Sequence, residues 1–217
     1  MSCEETPLER VRLDLHLETP RLILRDLRRE DLDEMDGWRP LTDPLHKLWN
    51  LPRGTHLGRD LWLAVHEVDD TRLWFVVERQ SDSQVVGTVS LRDIMRPASA
   101  RLGVSFGADF LDQGYGTEAL AAFLPYYFHT LGFQRLILDV AATNKRAVHV
   151  YEKLGFRRAG QHYRNIPSGE DLSFLEQEEF ADLRPCFRRR LGHTQMLFYD
   201  MTLERRDWEI HSPERAP

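Results

Sequence analysis

Residues 113–119 read Gln-Gly-Tyr-Gly-Thr-Glu-Ala and stand directly before a helical pattern of apolar residues. Gly114 and Gly116 bracket a predicted tight turn, because glycine adopts positive φ and lets the backbone approach a ligand closely. The first turn of the helix that follows presents unpaired N–H groups and the positive end of the helix dipole. The stretch therefore predicts a cradle for an anion such as phosphate.

The pattern around this turn is a helix flanked by two strands. Apolar residues recur at helical spacing from residue 116 to 131. Pro125 interrupts them, so we expect a bend where the bond to the carbonyl of Ala121 is lost. Ala100–Phe106 before the helix and Arg135–Val140 after it have the composition of strands. This order implies a right-handed parallel crossover.

The chain before this unit predicts an antiparallel meander. Thr19–Arg25 alternates apolar and polar residues, as a first strand should. Leu73–Arg79 and Val85–Arg92 are two further strand candidates, and Ser81-Asp-Ser between them has the composition of a hairpin turn. Ala100–Phe106 then completes the meander.

The chain after the unit predicts one more helix and two closing strands. Asn144–Leu154 is the helix, ended by Gly155 as a left-handed residue. The strands are Phe156–Arg164 and Met196–Leu203. Together with the meander they predict an α+β fold (mixed α/β), with a twisted, mostly antiparallel sheet, one parallel strand–helix–strand crossover and helices on both faces.

The sequence divides into one domain with short flanking segments. We expect an N-terminal extension over residues 1–18, a single domain over 19–205 and a C-terminal tail over 206–217. Within the domain, residues 28–38 predict a short acidic helix and residues 39–62 an irregular mixture of helix and loop.

A charged segment at about 167–193 differs in composition from its surroundings. It contains six acidic residues followed by four arginines, and Leu172–Phe180 is a candidate helix that Pro185 would end. A solvated charged excursion is the favoured interpretation. The alternative is a lid or wall that faces a cationic acceptor.

Composition excludes several classes of function. The 29 Lys and Arg residues are outnumbered by 35 Asp and Glu, so the chain lacks the basic footprint of a nucleic-acid binder. Neither an apolar run of 18 residues nor a signal-peptide pattern is present, which predicts a cytoplasmic protein with no membrane contact. Two cysteines are too few for a disulfide framework, and no metal site is expected because the histidine and cysteine spacings of zinc sites are missing.

The glycine turn also satisfies the Gly-x-Gly-x-x-Ala pattern of dinucleotide-binding folds, with Asp139 near the position of a ribose-binding acid. That fold requires the first glycine to follow its strand almost at once, whereas seven residues separate Phe106 from Gly114. It also requires further parallel units, and only one crossover is predicted. An NAD-dependent oxidoreductase is therefore a weaker alternative.

The downstream run Asn144-Lys-Arg-Ala-Val-His-Val-Tyr-Glu-Lys-Leu-Gly-Phe156 resembles the signature of the GNAT superfamily of acyl-CoA-dependent N-acetyltransferases. The turn at Gly114 matches the Gly-x-Gly that holds the coenzyme A pyrophosphate in that family. The opening Thr19-Pro-Arg-Leu-Ile-Leu-Arg25 is similar to the branch of ribosomal-protein N-terminal acetyltransferases. The resemblance covers about residues 19–205, with both motifs in matching order.

Three positions depart from the pattern. Leu111 stands where the family often has Arg or Gln, at a position that contributes mainly a backbone N–H. Arg101 stands where many members of the ribosomal-protein branch have Glu, and Ala147 where they have Ser. These two differences concern the acceptor more than the fold.

The resemblance implies that acetyl-CoA is the co-substrate and that its pantetheine arm lies between the two splayed strands of the crossover. It pairs there with Val104, Ser105 and Phe106, and one backbone N–H in this region polarises the thioester carbonyl. Backbone N–H groups of the turn bind the phosphates; the turn residues are Asp112, Gln113, Gly114, Tyr115, Gly116 and Thr117. Asn144 bonds to the cofactor or caps its helix. Glu118 is expected to have a structural role in the first helical turn.

The resemblance also implies direct transfer to a primary amine, with Tyr151 as the general acid that protonates the departing thiolate. The alternative for Tyr151 is packing, because it belongs to an apolar helical stripe. Asp93, Ser105 and a water relay are all open as the base. Cys186 lies among arginines that could lower its thiol pKa, although a surface cysteine without a role is favoured. Trp38, Trp49 and Trp62 either shape the acceptor cleft or anchor the core.

The sequence thus predicts an acetyl-CoA-dependent N-acetyltransferase that acts on a small amine or a protein N-terminus, as a monomer or homodimer. A non-catalytic acyl-CoA-binding module is the first alternative, since it would keep the cradle without turnover. The acceptor is open among a protein N-terminus, a polyamine, an amino acid and an aminoglycoside.

Overall fold

One mixed sheet of nine strands runs through the part of the chain that a computed structural model describes, residues 15–44, 46, 55–69 and 71–211. The strands are His16–Glu18 (β1), Leu22–Asp26 (β2), Leu73–Arg79 (β3), Gln84–Met95 (β4), Ser99–Phe106 (β5), Arg135–Ala141 (β6), Arg157–Asn165 (β7), Phe187–Arg190 (β8) and His193–Glu204 (β9). Their spatial order is β1-β2-β3-β4-β5-β6-β9-β7, and β8 also pairs with β9. Cys3, the first of the two cysteines, and Trp49 lie outside the described residues.

Five α-helices accompany the sheet within the described ranges. They are Arg29–Asp36 (α1), His56–Val68 (α2), Tyr115–Pro125 (α3), Lys145–Lys153 (α4) and Arg205–His211 (α5). A π-helical turn, Tyr126–Thr130, continues α3, and 3₁₀ turns occupy Ala108–Phe110, Ser173–Glu176 and Glu178–Cys186.

The strand pairing matches the predicted topology. β1 to β5 pair in sequence as an antiparallel meander, and β5 pairs in parallel with β6 through the α3 crossover. β6 and β7 both pair antiparallel with β9. The mixed fold with one parallel step is therefore confirmed.

The larger core lies on one face of the sheet, which we call the α3 face. Phe75 of β3 packs against Phe123 of α3 with ring centroids 5.6 Å apart, and Phe128 of the π-helical turn stacks on Trp208 of α5 at 5.2 Å. Successive strand residues point to opposite faces, so the buried Leu136 and Leu138 of β6 share this face. Apolar burial here is the main force that holds the helices to the sheet.

The opposite face, which we call the α2 face, is covered by α1 and α2 at one end. Trp62 of α2 meets Trp74 of β3 edge to face at 5.2 Å. Arg25 of β2 donates to both carboxylate oxygens of the buried Asp31 of α1, each at 2.8 Å, and to Glu78 of β3 at 2.8 Å. These hydrogen bonds raise the pKa of the Arg25 guanidinium further, so α1 is anchored by a permanently charged, partly buried network.

Pro125 changes the hydrogen bonding of its helix, as its position predicts. α3 ends at Pro125 and continues as the π-helical turn, which closes with a bond from Leu131 N–H to the Tyr126 carbonyl at 2.9 Å. A proline has no N–H for the carbonyl four residues earlier, so the bonding widens where that bond is missing.

Several boundaries differ from the expectations. Residues 16–18 of the expected extension form β1, and α5 runs from the last residue of the expected domain into the expected tail, with Trp208 buried in the core. The helix α2 extends to Val68, beyond the irregular segment expected over residues 39–62. In the charged segment the expected helix over Leu172–Phe180 is replaced by 3₁₀ turns.

The charged excursion has a small core of its own rather than being wholly solvated. Phe174 and Leu183 are buried, and Phe174 meets Phe180 and Phe187 edge to face. A second apolar cluster, formed by Ala141, Ile166, Met196 and Phe198, lies beside it. The acidic side chains of the excursion point to solvent.

No helix within the described residues is both long and apolar enough to cross a membrane.

Candidate active site

The two strands of the crossover separate after a short paired stretch. β5 and β6 are in register only at Ser99–Arg101 and Arg135–Ile137. Beyond this point, residues 102–106 of β5 have no strand partner on the β6 side among the described residues. We call the wedge between the strands the splay and its closed end, at Arg101 and Ile137, the vertex. Unpaired backbone groups of β5 are thus available to a ligand laid along the strand.

The open end of the splay leads to the start of α3. Gly114 is the residue before the helix and has a left-handed conformation with φ of +79°. No side chain caps the start of this helix. Asp112 is also left-handed, with φ of +59°. The first N–H groups of α3 therefore lack a side-chain cap and point away from the helix, which is the geometry of an anion cradle.

Gly116 provides space at the same turn. A Cβ at this position would lie 3.4 Å from the ring of Phe106 on β5. Val104, Ser105 and Phe106 are all partly exposed along the open edge of β5. The predicted phosphate cradle and the predicted strand contacts are thus continuous in space.

Arg21 supports the cradle from beneath, a contact that no sequence pattern indicates. Its Nη1 donates to the Gln113 carbonyl at 3.0 Å, its Nε donates to Glu118 at 2.7 Å, and its guanidinium covers the ring of Tyr115 at 4.8 Å. Glu118 also accepts from the Thr19 hydroxyl at 2.6 Å. Burial would raise the pKa of Glu118, but the bonds from Thr19 and Arg21 outweigh it and lower that pKa. Glu118 therefore joins the first strands to α3.

The start of α4 lies beside the same turn. Arg146 donates from Nη1 to both carboxylate oxygens of Asp112, at 3.0 and 2.9 Å. The Asn144 side chain accepts from the Ala147 N–H at 3.1 Å, so it caps α4. This contact accounts for the asparagine without a ligand, and a bond to the cofactor stays a prediction.

Tyr151 lies on α4, close enough to Asp139 of β6 for the charge of that residue to affect its pKa. It is partly buried, packs against the core and has its ring 5.6 Å from that of Phe156. Burial, and secondly the charge of Asp139, raises the pKa of Tyr151 to about 12. The phenol therefore keeps its proton throughout the neutral range and can donate a hydrogen bond.

A cluster of three arginines around Asp139 occupies the vertex on the α2 face. The buried Asp139 carboxylate accepts hydrogen bonds from Arg92 Nη2 at 3.2 Å and Arg101 Nη1 at 3.0 Å, and it forms an ion pair with Arg164 Nη2 at 2.8 Å. Arg92 and Arg101 are cross-strand neighbours on β4 and β5, and Asp139 follows Ile137 by two residues. The sequence marked Asp139 only as a ribose-binding acid in the weaker alternative, because strand spacing does not show which strands converge.

A histidine extends this cluster along β7. Arg164 Nε donates to His162 Nε2 at 2.9 Å, which assigns the ring hydrogen to Nδ1, and Nδ1 lies 3.0 Å from an Asp200 oxygen. The Arg164 guanidinium also covers the Phe198 ring at 4.5 Å. The polar groups from Asp200 to Arg92 thus form one connected network across the α2 face.

The remaining candidate residues have other surroundings. Asp93, a candidate base, pairs with Arg101 at 3.0 Å, and Ser105 lies on the α2 face opposite Thr88. Burial raises the pKa of the Cys186 thiol, against a weaker opposing effect of Lys145, so the suggested lowering by arginines is wrong. Trp38 donates to the Val85 carbonyl at 3.0 Å and packs on the core, while Trp62 packs on Trp74.

Within the described residues no three His, Cys, Asp or Glu side chains converge as they would around a metal ion.

Comparison with known proteins identifies a family for most of the domain. A family profile described as an acetyltransferase (GNAT) domain matches residues 21–157. Among curated proteins, a relative named as the uncharacterized N-acetyltransferase YnaD of Bacillus subtilis is 24% identical over 172 residues, which cover 76% of this chain and 99% of the relative. The spermidine N(1)-acetyltransferase of Escherichia coli K12 is 31% identical over 139 residues, 64% of this chain and 74% of the relative.

Solved structures have the same fold. The spermidine N-acetyltransferase of Vibrio cholerae, solved in complex with CoA and spermine, superposes with a TM-score of 0.66 at 21% identity, covering 88% of this chain and 99% of that one. An acetyltransferase of the GNAT family from Bacillus anthracis gives a TM-score of 0.64 at 18% identity, with coverage of 88% and 99%.

Proposed function

Because the chain belongs to the GNAT family of acetyltransferases, we propose that this acetyl-CoA-dependent N-acetyltransferase passes the acetyl group directly to a primary amine at the vertex of the splay. The observation that carries the proposal is the continuous path from the uncapped start of α3 to the vertex. The four residue steps from Phe106 to Leu102 span about 13 Å of strand. A pantetheine arm held by this edge would bring its thioester close to Arg101 and Asp139.

The cofactor sites follow from this path. Backbone N–H groups of residues 112–117 hold the pyrophosphate, with Arg21 fixing the turn by its bond to the Gln113 carbonyl. Val104, Ser105 and Phe106 pair with the pantetheine amides through their main chain. Asn144 contributes by capping α4 and so placing Tyr151.

The chemistry requires one bond to form and one to break. The amine nitrogen attacks the thioester carbon, a C–N bond forms, and the C–S bond breaks with its electron pair going to sulfur. Tyr151 donates a hydrogen bond from its phenol to the leaving sulfur, and the proton that the nitrogen gives up in forming the amide passes to water. A thiol has a pKa of about 8.5, well below that of Tyr151, so the phenol stabilises the thiolate chiefly as a hydrogen-bond donor.

The acceptor is a primary amine, and two classes of primary amine have support. Relatives named as spermidine acetyltransferases favour a small amine, whereas the opening motif of the first strand favours a protein N-terminus. Both present a primary amine that must lose a proton before attack, since an α-amine has a pKa of about 8 and an alkyl amine about 10.4. A water relay along the strand carbonyls is the proposed path for that proton, because Asp93 and Asp139 are already held by arginines.

Thermal unfolding with acetyl-CoA, CoA and NAD, each at saturating concentration, tests the cofactor site. Ligand at a hundredfold excess over its dissociation constant stabilises the folded protein by about 2.7 kcal/mol. We expect both CoA forms to raise the melting temperature and NAD to leave it unchanged. Stabilisation by NAD alone would return the turn to the dinucleotide alternative.

Release of free CoA thiol in the presence of amines then tests turnover. Acetyl transfer to any primary amine supports the proposed enzyme. Stabilisation by CoA with neither transfer nor hydrolysis would instead support the non-catalytic acyl-CoA-binding module.

A further inference from the structure

We propose that the acceptor amine of this protein also carries a carboxylate, which the arginine cluster at the vertex binds. The arginine cluster consists of Arg92, Arg101 and Arg164 around Asp139. The inference rests on the proposed site of acetyl transfer and names the class of acceptor that this site takes.

The charge balance at the vertex is the first argument. Three guanidinium groups share the Asp139 carboxylate, and Asp93 is the only other carboxylate that pairs with any of them within the described residues. Asp200, the cross-strand partner of Asp139, is a third carboxylate nearby, but it is held by His162 and not by an arginine. Two carboxylates thus contact three guanidinium groups, and the N–H donors left over favour an anionic ligand over a second ammonium group.

The availability of donors is the second argument. Arg92 uses only Nη2 for Asp139, and its Nε and Nη1 have no partner in the described part of the chain. Its side chain is 40% exposed, so an incoming ligand can reach it. A guanidinium fork binds a carboxylate through two parallel N–H bonds, which fixes the ligand's orientation as well as its position.

The role of Asp139 follows from its burial. Its side chain is 5% exposed, accepts hydrogen bonds from Arg92 and Arg101 and forms an ion pair with Arg164, so it contacts arginines of three different strands. A carboxylate held in this way is a firm anchor, since it fixes the arginine side chains at the vertex of the splay. Asp139 is thus a positioning residue for the cluster.

A polyamine acceptor would need the opposite charge at this point. The acidic residues that could attract a polyamine lie on the excursion, where their side chains are exposed and spread over residues 170–182. At the vertex itself the second, non-reacting ammonium group of a diamine would face the arginines. The position that bears Glu in many members of the similar branch is Arg101 here, which adds to this difference.

A matched pair of acceptors tests the inference. 4-Aminobutyrate and putrescine each have four carbons and a terminal primary amine, but the other end is a carboxylate in the first and a second, equivalent amine in the other, so kcat/KM is compared per amine. We expect kcat/KM for 4-aminobutyrate to exceed that for putrescine by tenfold or more. A second pair, short peptides that begin Ser-Glu or Ser-Lys, shows whether the carboxylate belongs to a small amino acid or to a peptide N-terminus. A preference for putrescine and for the Ser-Lys peptide would overturn the inference.

Substitution of the most accessible arginine separates binding from chemistry. Arg92→Gln should raise KM for 4-aminobutyrate about tenfold and leave KM for acetyl-CoA unchanged, while Arg92→Lys restores part of the loss. Arg158→Gln is the matched control, because Arg158 contacts Glu152 and the Tyr199 ring, away from the arginine cluster. An acceptor preference that is the same in Arg92→Gln and the wild type would contradict the inference.

Calorimetric titration of the CoA-bound protein tests the inference without turnover. Binding of 4-aminobutyrate but not putrescine supports it, and binding of putrescine alone or of neither compound overturns it. Failure of the proposed function is a separate result, since a protein without the cofactor site would show no stabilisation by CoA.

Discussion

At the scale of single residues, the cradle depends on backbone torsions that few side chains tolerate. Gly114 and Gly132 have nearly the same positive φ, +79° and +75°, but only Gly114 lies at the start of α3. A Cβ at Gly132 meets nothing within 4 Å, so the two positions differ mainly in whether a ligand is expected there. They form a natural pair for testing the site.

We expect Gly114→Ala and Gly132→Ala each to lower the free energy of unfolding by about 1–2 kcal/mol, the cost of a left-handed L-residue. Only Gly114→Ala should also weaken CoA binding, by about tenfold, because backbone relaxation moves the N–H groups of the cradle. Urea denaturation and CoA titration measure the two effects. Equal CoA affinity in both variants would argue against the cradle.

Tyr151 is the residue whose role in chemistry is most directly testable. Tyr151→Phe removes the hydroxyl and keeps the ring that packs near Phe156, so folding should be preserved. We expect kcat to fall about 10²-fold or more, with little change in the dissociation constant of CoA. Tyr163→Phe is the control, since Tyr163 lies on β7 with its ring under Arg188 of β8. An unchanged kcat in Tyr151→Phe would leave packing as the role of this residue.

The raised pKa of Tyr151 has its own signature in the pH profile of kcat. The acid form is the active one, and burial together with Asp139 holds the proton up to a pH of about 12. We therefore expect no loss of kcat from this group between pH 9 and 10.5, where an ordinary tyrosine begins to ionise. A decline centred near pH 10 in wild type that Tyr151→Phe abolishes would show that the group is not shifted.

At the scale of elements, the vertex is fixed by a side chain from the helical crossover. The Tyr127 hydroxyl donates to the Arg135 carbonyl at 2.7 Å and accepts from the Ala100 N–H at 3.0 Å. It thus bridges the first paired residues of β5 and β6, next to the vertex. The π-helical turn after Pro125 contributes this tyrosine, so the bonding change at Pro125 and the closed end of the splay are physically connected.

Removing this bridge should destabilise the protein measurably. Tyr127→Phe leaves the Ala100 N–H without that partner at a buried position, which costs about 1–3 kcal/mol of unfolding free energy. Tyr126→Phe is the control, because the hydroxyl of this neighbour makes no hydrogen bond within the described residues. Chemical denaturation of the two variants gives the comparison, and equal losses would contradict a special role for the bridge.

At the scale of the whole molecule, one apolar core connects the first described strands to the last helix. Leu15, Leu22 and Trp208 all belong to it, so the sheet and its helices should unfold together. The core also contains or contacts three tyrosines with raised pKa values, which couples its stability to alkaline pH.

The free energy of unfolding should fall as the pH rises above about 10. Burial raises the pKa of Tyr126, Tyr127 and Tyr151 in the folded state, whereas unfolded tyrosine ionises near pH 10. The unfolded chain therefore loses protons first, and each group removes up to about 1.4 kcal/mol per pH unit between its unfolded and folded pKa. Denaturation at pH 9, 10 and 11 measures the slope, and Tyr151→Phe should make it shallower. A flat profile would refute the linkage.

The predicted strand boundaries show how accurately the local sequence pattern locates strands. Leu73–Arg79 was correct to the residue, and Ala100–Phe106 and Arg135–Val140 each fell one residue short, because alternating and β-branched residues report local burial directly. The helix α5 was not predicted, and α2 was predicted only as part of an irregular segment that ends at residue 62. Their helical character depends on packing that the local composition does not reveal. Trp208 acts as a core residue only because Phe128 is next to it.

The sequence by itself determined the crossover, the glycine turn at the start of α3 and the family signature on α4. These features are local in the chain, and their residue types are dictated by backbone torsion and helix geometry. Only the tertiary structure decided how the vertex is charged. Arg92, Arg101, Asp139 and Arg164 lie on four different strands, and their meeting depends on strand order and on where pairing stops. The net charge at a site depends on which side chains the fold brings together, and local sequence does not determine which ones these are.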